Sequence, residues 1–331
     1  MSVIGSDRIY LTSYLAPFQP FLCRPDVTDI YVNRPQEIWV ETLGGNIERH
    51  DVIALDAATL DRLAQQVAAL SHQGISRAHP LLSASLPDGA RVQFIAPPAT
   101  RGSIALAIRK HQMNDLMLED YVAASAFDAL RVTGENDDPA ADGELAALHG
   151  KRDFAGLLRT AVHQRRNILI SGGTSTGKTT FLSTLMREIA PAERLILIED
   201  TAELELRHAN AIGLLAARSA LGEAVVDMDA LLNASLRMRP DRIILGELRG
   251  PEAFTFLRAI NTGHPGSMTT VHADSPERAI EQVALLILQT GTQLDRESIV
   301  HYIRSTVDVF IQLGRTGGRR HVVEILLRGT A

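Results

Sequence analysis

A glycine-rich run carries the clearest chemistry in this sequence. It reads Gly172-Gly173-Thr174-Ser175-Thr176-Gly177-Lys178-Thr179-Thr180 and follows a short apolar stretch. The residues after it place Phe181, Leu182, Leu185 and Ile189 on one helical face. The spacing is G-x-x-x-x-G-K-[ST] in full. Its glycines let successive backbone N–H groups turn inward around phosphate oxygens, and the following helix N-terminus adds positive potential at the same point. Lys178 is then placed for the β- and γ-phosphates and Thr179 for Mg2+, with Thr174, Ser175, Thr176 and Thr180 completing the cradle. The loop alone speaks for binding a nucleoside triphosphate; hydrolysis needs further groups.

Candidates for those groups follow. The apolar run 195–198 leads into Glu199-Asp200, and the run 243–246 leads into Glu247. In an α/β sheet, ligands sit at the carboxyl ends of strands, which is where these acids fall. A carboxylate there can hold Mg2+ directly or through water, or orient the attacking water. It can also do no more than cap a helix or pair with a base. Gly246 stands where the usual magnesium aspartate would be, so metal support is expected from elsewhere. Two histidines, His264 and His272, bracket a short strand in GHPGSMTTVH. An imidazole at such a strand end can hydrogen-bond a γ-phosphate, although a lone histidine is more often only a satisfied polar residue.

These residues need rigid elements to hold them. In the C-terminal half, apolar runs at 167–171, 194–199, 242–246 and 267–271 alternate with amphipathic helices. Continuous apolar strands separated by helices predict a sheet buried on both faces. Gly250-Pro251 and Ser275-Pro276-Glu277 open two of the helices, and Gly291 lies just past the end of the second. Runs 307–313 and 321–327 predict a late hairpin around Thr316-Gly317-Gly318. The N-terminal half is mixed, with strands expected at 27–33, 37–41, 90–96 and 103–109. A helix is expected over 56–71, capped by Asp56, and a short one over 116–127. Between the halves, 133–144 reads TGENDDPAADGE, five acids without a base. Such a stretch cannot bury much apolar surface and is expected to be a linker. The expected division is therefore an N-terminal α/β domain over 1–132, an acidic linker over 133–150 and a nucleotide-binding domain over 151–331.

Composition narrows the class. The 331 residues are 45% hydrophobic and 22% charged, with a formal net charge of −6. That is the mix of a soluble globular protein of about two domains. A nucleic-acid-coating protein would carry a basic surplus, so direct nucleic-acid binding is disfavoured. The single cysteine, Cys23, excludes an internal disulfide framework and a multi-cysteine zinc site, and fits a reducing compartment. The longest runs without Lys, Arg, Asp or Glu, at 9–23 and 259–273, are shorter than the roughly 18 residues a membrane helix needs. The N-terminus lacks the basic and apolar blocks of a signal peptide. Any membrane association is expected to be peripheral.

In this order and spacing, the motifs resemble the secretion-superfamily traffic ATPases of type II secretion, type IV pili and type IV secretion. The resemblance rests on GGTSTGKTT, the acidic box LILIEDTAEL, the strand RIILGELRG and the histidine box GHPGSMTTVHADSP, which together span 172–276. Weaker matches extend to VTDIYVNRPQEIWVE, LPDGARVQFIAPP and SIALAIRK in the N-terminal half. The compact cytoplasmic ATPases of type IV secretion fit best. Type II relatives usually carry a paired-cysteine zinc insertion, and pilus retraction motors carry a C-terminal signature that is absent after Gly291. An assembly motor for a tight-adherence or type IV pilus, and a RecA-like nucleic-acid translocase, are the alternatives.

The resemblance implies a RecA-like P-loop motor domain behind a smaller α/β domain, working with Mg2+ and ATP as a homohexamer. Partners would be inner-membrane and cytoplasmic components of a secretion machine. It further implies that Glu247 orients or deprotonates the water, with Glu199 and Asp200 in the metal shell. His272, with His264, would sense the γ-phosphate, and Arg91 and Arg109 would close on the nucleotide from the N-terminal domain. Arg237, Arg239 and Arg249 are candidates for contacts between subunits. Some relatives have glycine at the position of Ser175, a difference not expected to disturb the cradle.

Overall fold

The computed structural model describes residues 4–43, 45–110, 116–134, 143–217 and 225–327. The chain divides into two compact units, Met1–Gln112 with Ala217–Asp227, and Met113–Ala216 with Met228–Ala331.

The first unit carries helices α1 (Ile4–Leu15), α2 (Gln19–Leu22) and α3 (Ala57–Leu70). Its strands are β1 (Val27–Val32), β2 (Glu37–Thr42), β3 (Ile47–Asp51), β4 (Leu81–Ser85), β5 (Arg91–Ile95) and β6 (Ala105–Arg109). They form an antiparallel sheet in the order β3-β2-β1-β6-β5-β4. Side chains alternate across a strand. Ile30, Val40, Val92, Phe94, Leu106 and Ile108 therefore point to one face, where they bury against Leu11, Phe18, Leu60, Leu63 and Val67. Asp56 caps α3 as expected, its Oδ1 accepting from the Thr59 N–H at 2.7 Å. Strands β3 and β4 escape sequence reading because they are edge strands with few buried positions.

The second unit opens with α4 (Leu118–Ala123), β7 (Arg131–Gly134), α5 (Gly143–Gly150) and α6 (Phe154–His163). There follow β8 (Ile168–Gly172), α7 (Lys178–Met186), β9 (Leu195–Glu199), β10 (Ala211–Leu215), α8 (Met228–Ser235), β11 (Arg242–Leu245) and α9 (Glu252–Asn261). The unit closes with β12 (Met268–Val271), α10 (Pro276–Leu288), α11 (Arg296–Thr306), β13 (Val309–Thr316) and β14 (Arg319–Leu327). The sheet order is β10-β9-β11-β12-β8-β13-β14-β7, parallel from β10 to β13, with β14 and β7 reversed. Strands β8, β9, β11 and β12 are buried at every residue. Alternation sorts them into two cores. Ile168, Ile170, Leu195 and Leu197 pack with α6 and α7, whereas Leu169, Ile196, Ile198, Ile243 and Leu245 pack with α8 to α11. This is the α/β architecture expected from the apolar runs. Among the described residues no helix is long and apolar enough to cross a membrane.

The division between units falls earlier than the sequence places it. Leu118, Tyr121, Phe127 and Leu130 share a core with Phe154, Leu158 and Phe181. Tyr121 sets its ring edge-on against Phe181 at 5.0 Å. Residues Arg131–Gly134, expected to end the N-terminal domain and open the linker at 133, pair with β14 as an edge strand. The physical reason is that 116–130 carries enough apolar surface to join the second core, which a reading centred on the acidic run overlooks. Helix α5 likewise occupies part of 133–150, and positions 135–142 lie outside the described residues.

Candidate nucleotide site

The phosphate loop joins β8, the buried centre of the second sheet, to the first turn of α7. Gly177 caps the helix at φ 91°, a left-handed conformation that glycine adopts without strain. Ser175 also sits at φ 62°. The cradle thus forms with serine where a glycine would be relaxed, at a cost of about 1 kcal/mol. Within the loop, the Thr176 hydroxyl donates to the Gly173 carbonyl at 2.8 Å. The Lys178 ammonium, only 9% exposed, donates to the carbonyls of Gly172 at 2.9 Å and Gly173 at 3.2 Å. It also lies 3.2 Å from Nδ1 and 3.4 Å from Nε2 of His272, just past the end of β12. Burial pushes the ammonium below the ordinary lysine range.

Glu247 stands after the end of β11, the next strand but one. The Arg249 guanidinium grips its Oε2 through Nε at 2.8 Å and Nη2 at 2.6 Å. Arg249 also bonds Asp200. Its own burial works against the charge, but Asp200 and Glu247 outweigh this and raise its pKa. The other Glu247 oxygen, Oε1, lies 2.9 Å from His272 Nε2. That approach is ion-pair distance without hydrogen-bond alignment, so buried Oε1 has no hydrogen-bond partner among the described residues. Burial, then the charge of Lys178, lowers the His272 pKa, which leaves a neutral ring at pH 7. A neutral ring can accept from Lys178, so lysine, imidazole and carboxylate cluster over the loop, with Glu247 Oε1 left to bind a water.

The acids after β9 divide their work differently from the expectation. Glu199, 5% exposed, accepts at Oε1 from the N–H groups of Glu203 and Leu204 at 2.8 and 2.9 Å. It organises the turn, and the turn brings Glu203 to the Thr179 hydroxyl, which donates to Glu203 Oε2 at 3.0 Å. Asp200 is held by Arg249. The carboxylate beside the Thr179 hydroxyl is therefore Glu203, while Glu199 and Asp200, expected in the metal shell, are engaged by the turn and by Arg249. Glu203 lies four residues after Glu199 inside the same acidic box, and its spacing was the available signal. The described residues contain no cluster of three metal-ligating side chains. One hydroxyl and one carboxylate beside a phosphate loop suit a Mg2+ ion held mostly by substrate oxygens and water.

Gly246 has a steric reason. A Cβ there would stand 3.3 Å from Glu199 Cγ and 3.7 Å from the Ile198 carbonyl. The buried Glu199 occupies the space an aspartate would need. Gly246→Asp is expected to destabilise the protein by about 2 kcal/mol through crowding, with added repulsion from Glu199. A thermal melt checks this, and an unshifted midpoint would show the space to be open.

His264 does not join the site of its own chain. It precedes β12, at the amino end of a strand whose carboxyl end leads to His272, some four residues or roughly 13 Å away. Its Nδ1 is 3.0 Å from the Pro240 carbonyl, and its own carbonyl accepts from Ser267 Oγ at 2.7 Å. Its expected contact with the γ-phosphate gives way to a turn-holding role, because eight residues that span a central strand put His264 and His272 at opposite strand ends. Arg249, expected between subunits, is spent on Glu247 and Asp200, while Arg237 reaches the Asn233 carbonyl at 3.4 Å. In the first unit, Arg91 and Arg109 are cross-strand neighbours, and Asp29 follows in the same row. Arg109 Nε donates to Asp29 Oδ1 at 2.8 Å. The row lies on the face opposite the helices, so two guanidinium groups stand side by side there.

Comparison with known proteins follows the same lines. A family model described as "Type II/IV secretion system protein" matches residues 13–317. The chain is 36% identical over 324 residues to the type IV secretion system protein VirB11 of Bartonella henselae, covering 94% of this chain and 91% of that protein. Among solved structures, it resembles the VirB11 ATPase of the Brucella suis type IV secretion system in complex with sulphate, at TM-score 0.53 and 36% identity, over 98% of this chain and 96% of that one. It also shares the fold of the pilus retraction motor PilT with bound ADP, at TM-score 0.60 and 20% identity, over 95% of this chain and 83% of that one.

Proposed function

The chain belongs to the type II/IV secretion system protein family as a VirB11-like ATPase of type IV secretion, and we propose that it hydrolyses ATP with Mg2+ as a homohexameric ring. The observation that carries the chemistry is the buried, unpartnered Oε1 of Glu247 beside His272, which in turn touches Lys178. A water bonded to that oxygen would be oriented toward a γ-phosphate held by Lys178. Arg249 keeps the second carboxylate oxygen fixed, so the base cannot rotate away. The neutral His272 can donate from Nε2 to a phosphate oxygen without adding charge when the nucleotide is absent. Thr179 and Glu203 would hold Mg2+, which when bound neutralises charge on the β- and γ-oxygens.

Arg91 and Arg109 are assigned to the nucleotide's charge, since adjacent guanidinium groups suit an anion of high charge. The chain's partners would be components of the secretion machine at the cytoplasmic face of the inner membrane.

The test is turnover and assembly of the purified chain. Turnover is expected to require Mg2+ and to stop on chelation. Six-membered rings are expected in negative-stain images with a non-hydrolysable ATP analogue. Chelator-resistant turnover would refute the metal assignment, and particles that stay monomeric with the analogue would refute the ring.

A further inference from the structure

The β13–β14 hairpin carries a feature that the site described so far does not use. Its tip, Gly317-Gly318, has φ of 57° and 82°, a tight two-residue turn. Arg315, Arg319 and Arg320 flank that tip. Arg315 and Arg320 stand directly opposite each other in the ladder, an unfavourable pairing of like charges. None of the three makes a salt bridge with the described residues.

Arg320 is the one turned toward the phosphate loop. It continues the line of Val322, which is fully buried in the core shared with α7. A Cβ placed on Gly177 would meet Arg320 Cδ at 3.0 Å, Nε at 3.4 Å and Cζ at 3.7 Å. The guanidinium of half-buried Arg320 therefore lies directly over the last glycine of the loop, at the N-terminus of α7, with no salt bridge to an acid among the described residues.

Sheet order says which part of a nucleotide it faces. Strand β8 leads into the loop. His272 and Glu247 follow β12 and β11 on one side of it, and β13 and β14 lie on the other. The reacting phosphate belongs where Lys178, His272 and Glu247 converge. The remainder of the nucleotide must then extend toward the hairpin.

We propose that Arg320 is a nucleotide-binding residue whose guanidinium takes the α-phosphate, on the side of β8 away from Glu247 and His272. This rests on the ATPase function proposed above and adds a specific contact to it. Because the α-phosphate does not react, the contact is made equally in ground and transition states, so its loss falls on binding rather than on the chemical step. Losing one charge-assisted contact is expected to weaken binding about tenfold.

The experiment measures Kd for ADP and for a non-hydrolysable ATP analogue, with KM and kcat for ATP, in wild type, Arg320→Gln and Arg320→Lys. In Arg320→Gln, both Kd values and KM are expected to rise by the same factor of about ten, and the rise should shrink in high salt. Arg320→Lys keeps the charge and should fall between. Unchanged affinities would overturn the proposal, as would a loss confined to the ATP analogue or to kcat. A loss indifferent to salt would mark stacking on the base and overturn the phosphate assignment. If Arg320→Gln fails to fold, Arg320→Lys decides by the same comparison. Failure of the wild-type protein to bind or turn over ATP would be a different result, counting against the ATPase function and not only against Arg320.

Discussion

Glu247→Gln is expected to leave a protein that binds ATP and does not turn it over, while Lys178→Ala leaves one that does neither. The substitution at 247 is nearly isosteric. Its amide oxygen can still accept from Arg249, which now holds the carboxylate at 2.8 and 2.6 Å, so the loop after β11 keeps its anchor. The backbone there is also tied independently, since Glu252 Oε1 accepts from the N–H groups of Arg249 at 2.7 Å and Gly250 at 2.8 Å. What disappears is the basic oxygen beside His272. Loss of a positioned general base costs on the order of 10²–10⁴ in kcat. Lys178→Ala acts earlier, because it removes the cation that sits among the loop carbonyls and that is proposed to hold the phosphates. Steady-state turnover beside equilibrium binding of a non-hydrolysable analogue separates the two. Wild-type turnover in both variants would sink the site assignment. Loss of binding in Glu247→Gln would make Glu247 a structural residue.

A second large effect is expected at Arg242, far from the nucleotide. It is the largest fully buried side chain of the described residues, 1% exposed at the start of β11. It grips Glu193 with Nε to Oε2 at 2.8 Å and Nη2 to Oε1 at 2.7 Å, and Nη1 donates to the Val162 carbonyl at 2.8 Å. Gly266, at φ 80°, gives the guanidinium room, since a Cβ there would come within 2.6 Å of Nη1.

Arg242→Met removes the buried partner and leaves Glu193 with only the partly exposed Arg165, whose Nη2 lies 3.0 Å from Oε2. Breaking a buried pair typically costs about 3–5 kcal/mol, and with Arg165 retained the loss is expected at the lower end, about 3 kcal/mol. Denaturant unfolding of single and double variants checks this. Arg242→Met with Glu193→Leu should recover most of the loss, because the one charge left over, Arg165, is partly exposed to water. A single variant as stable as wild type would mean that water reaches Glu193. The pair also has a sign in pH. Hydrogen bonding to Arg242 lowers the Glu193 pKa. Its contribution is therefore full above the ordinary glutamate range and is lost as pH falls through the lowered folded value. Arg242→Met should flatten that acid-side decline.

Whatever depends on contiguous residues was legible in the chain itself. A phosphate loop is built from successive backbone N–H groups, so its sequence and its chemistry coincide at 172–180. The buried strands announced themselves as continuous apolar runs because both their faces are covered. Edge strands β3, β4, β7 and β10 did not, because they are short and lie at the sheet margins, where burial is incomplete. Even Arg242 was hidden in plain view, a charged residue opening an apolar strand whose partner lies 49 positions away.

Fold class, a nucleotide-binding loop and a set of acids and histidines were thus determined by the sequence alone. The tertiary structure decided which of them meet. It put Glu203 rather than Glu199 on Thr179, and it sent His272 to the loop and His264 to the opposite end of the same strand. It joined Glu247 to Arg249, and it laid Arg320 across Gly177. The reason is physical. Phosphate binding by backbone amides is local, but a side chain's role depends on its neighbours in space. Those neighbours come from strands whose order in the sheet, β9-β11-β12-β8-β13-β14, is not their order in the chain.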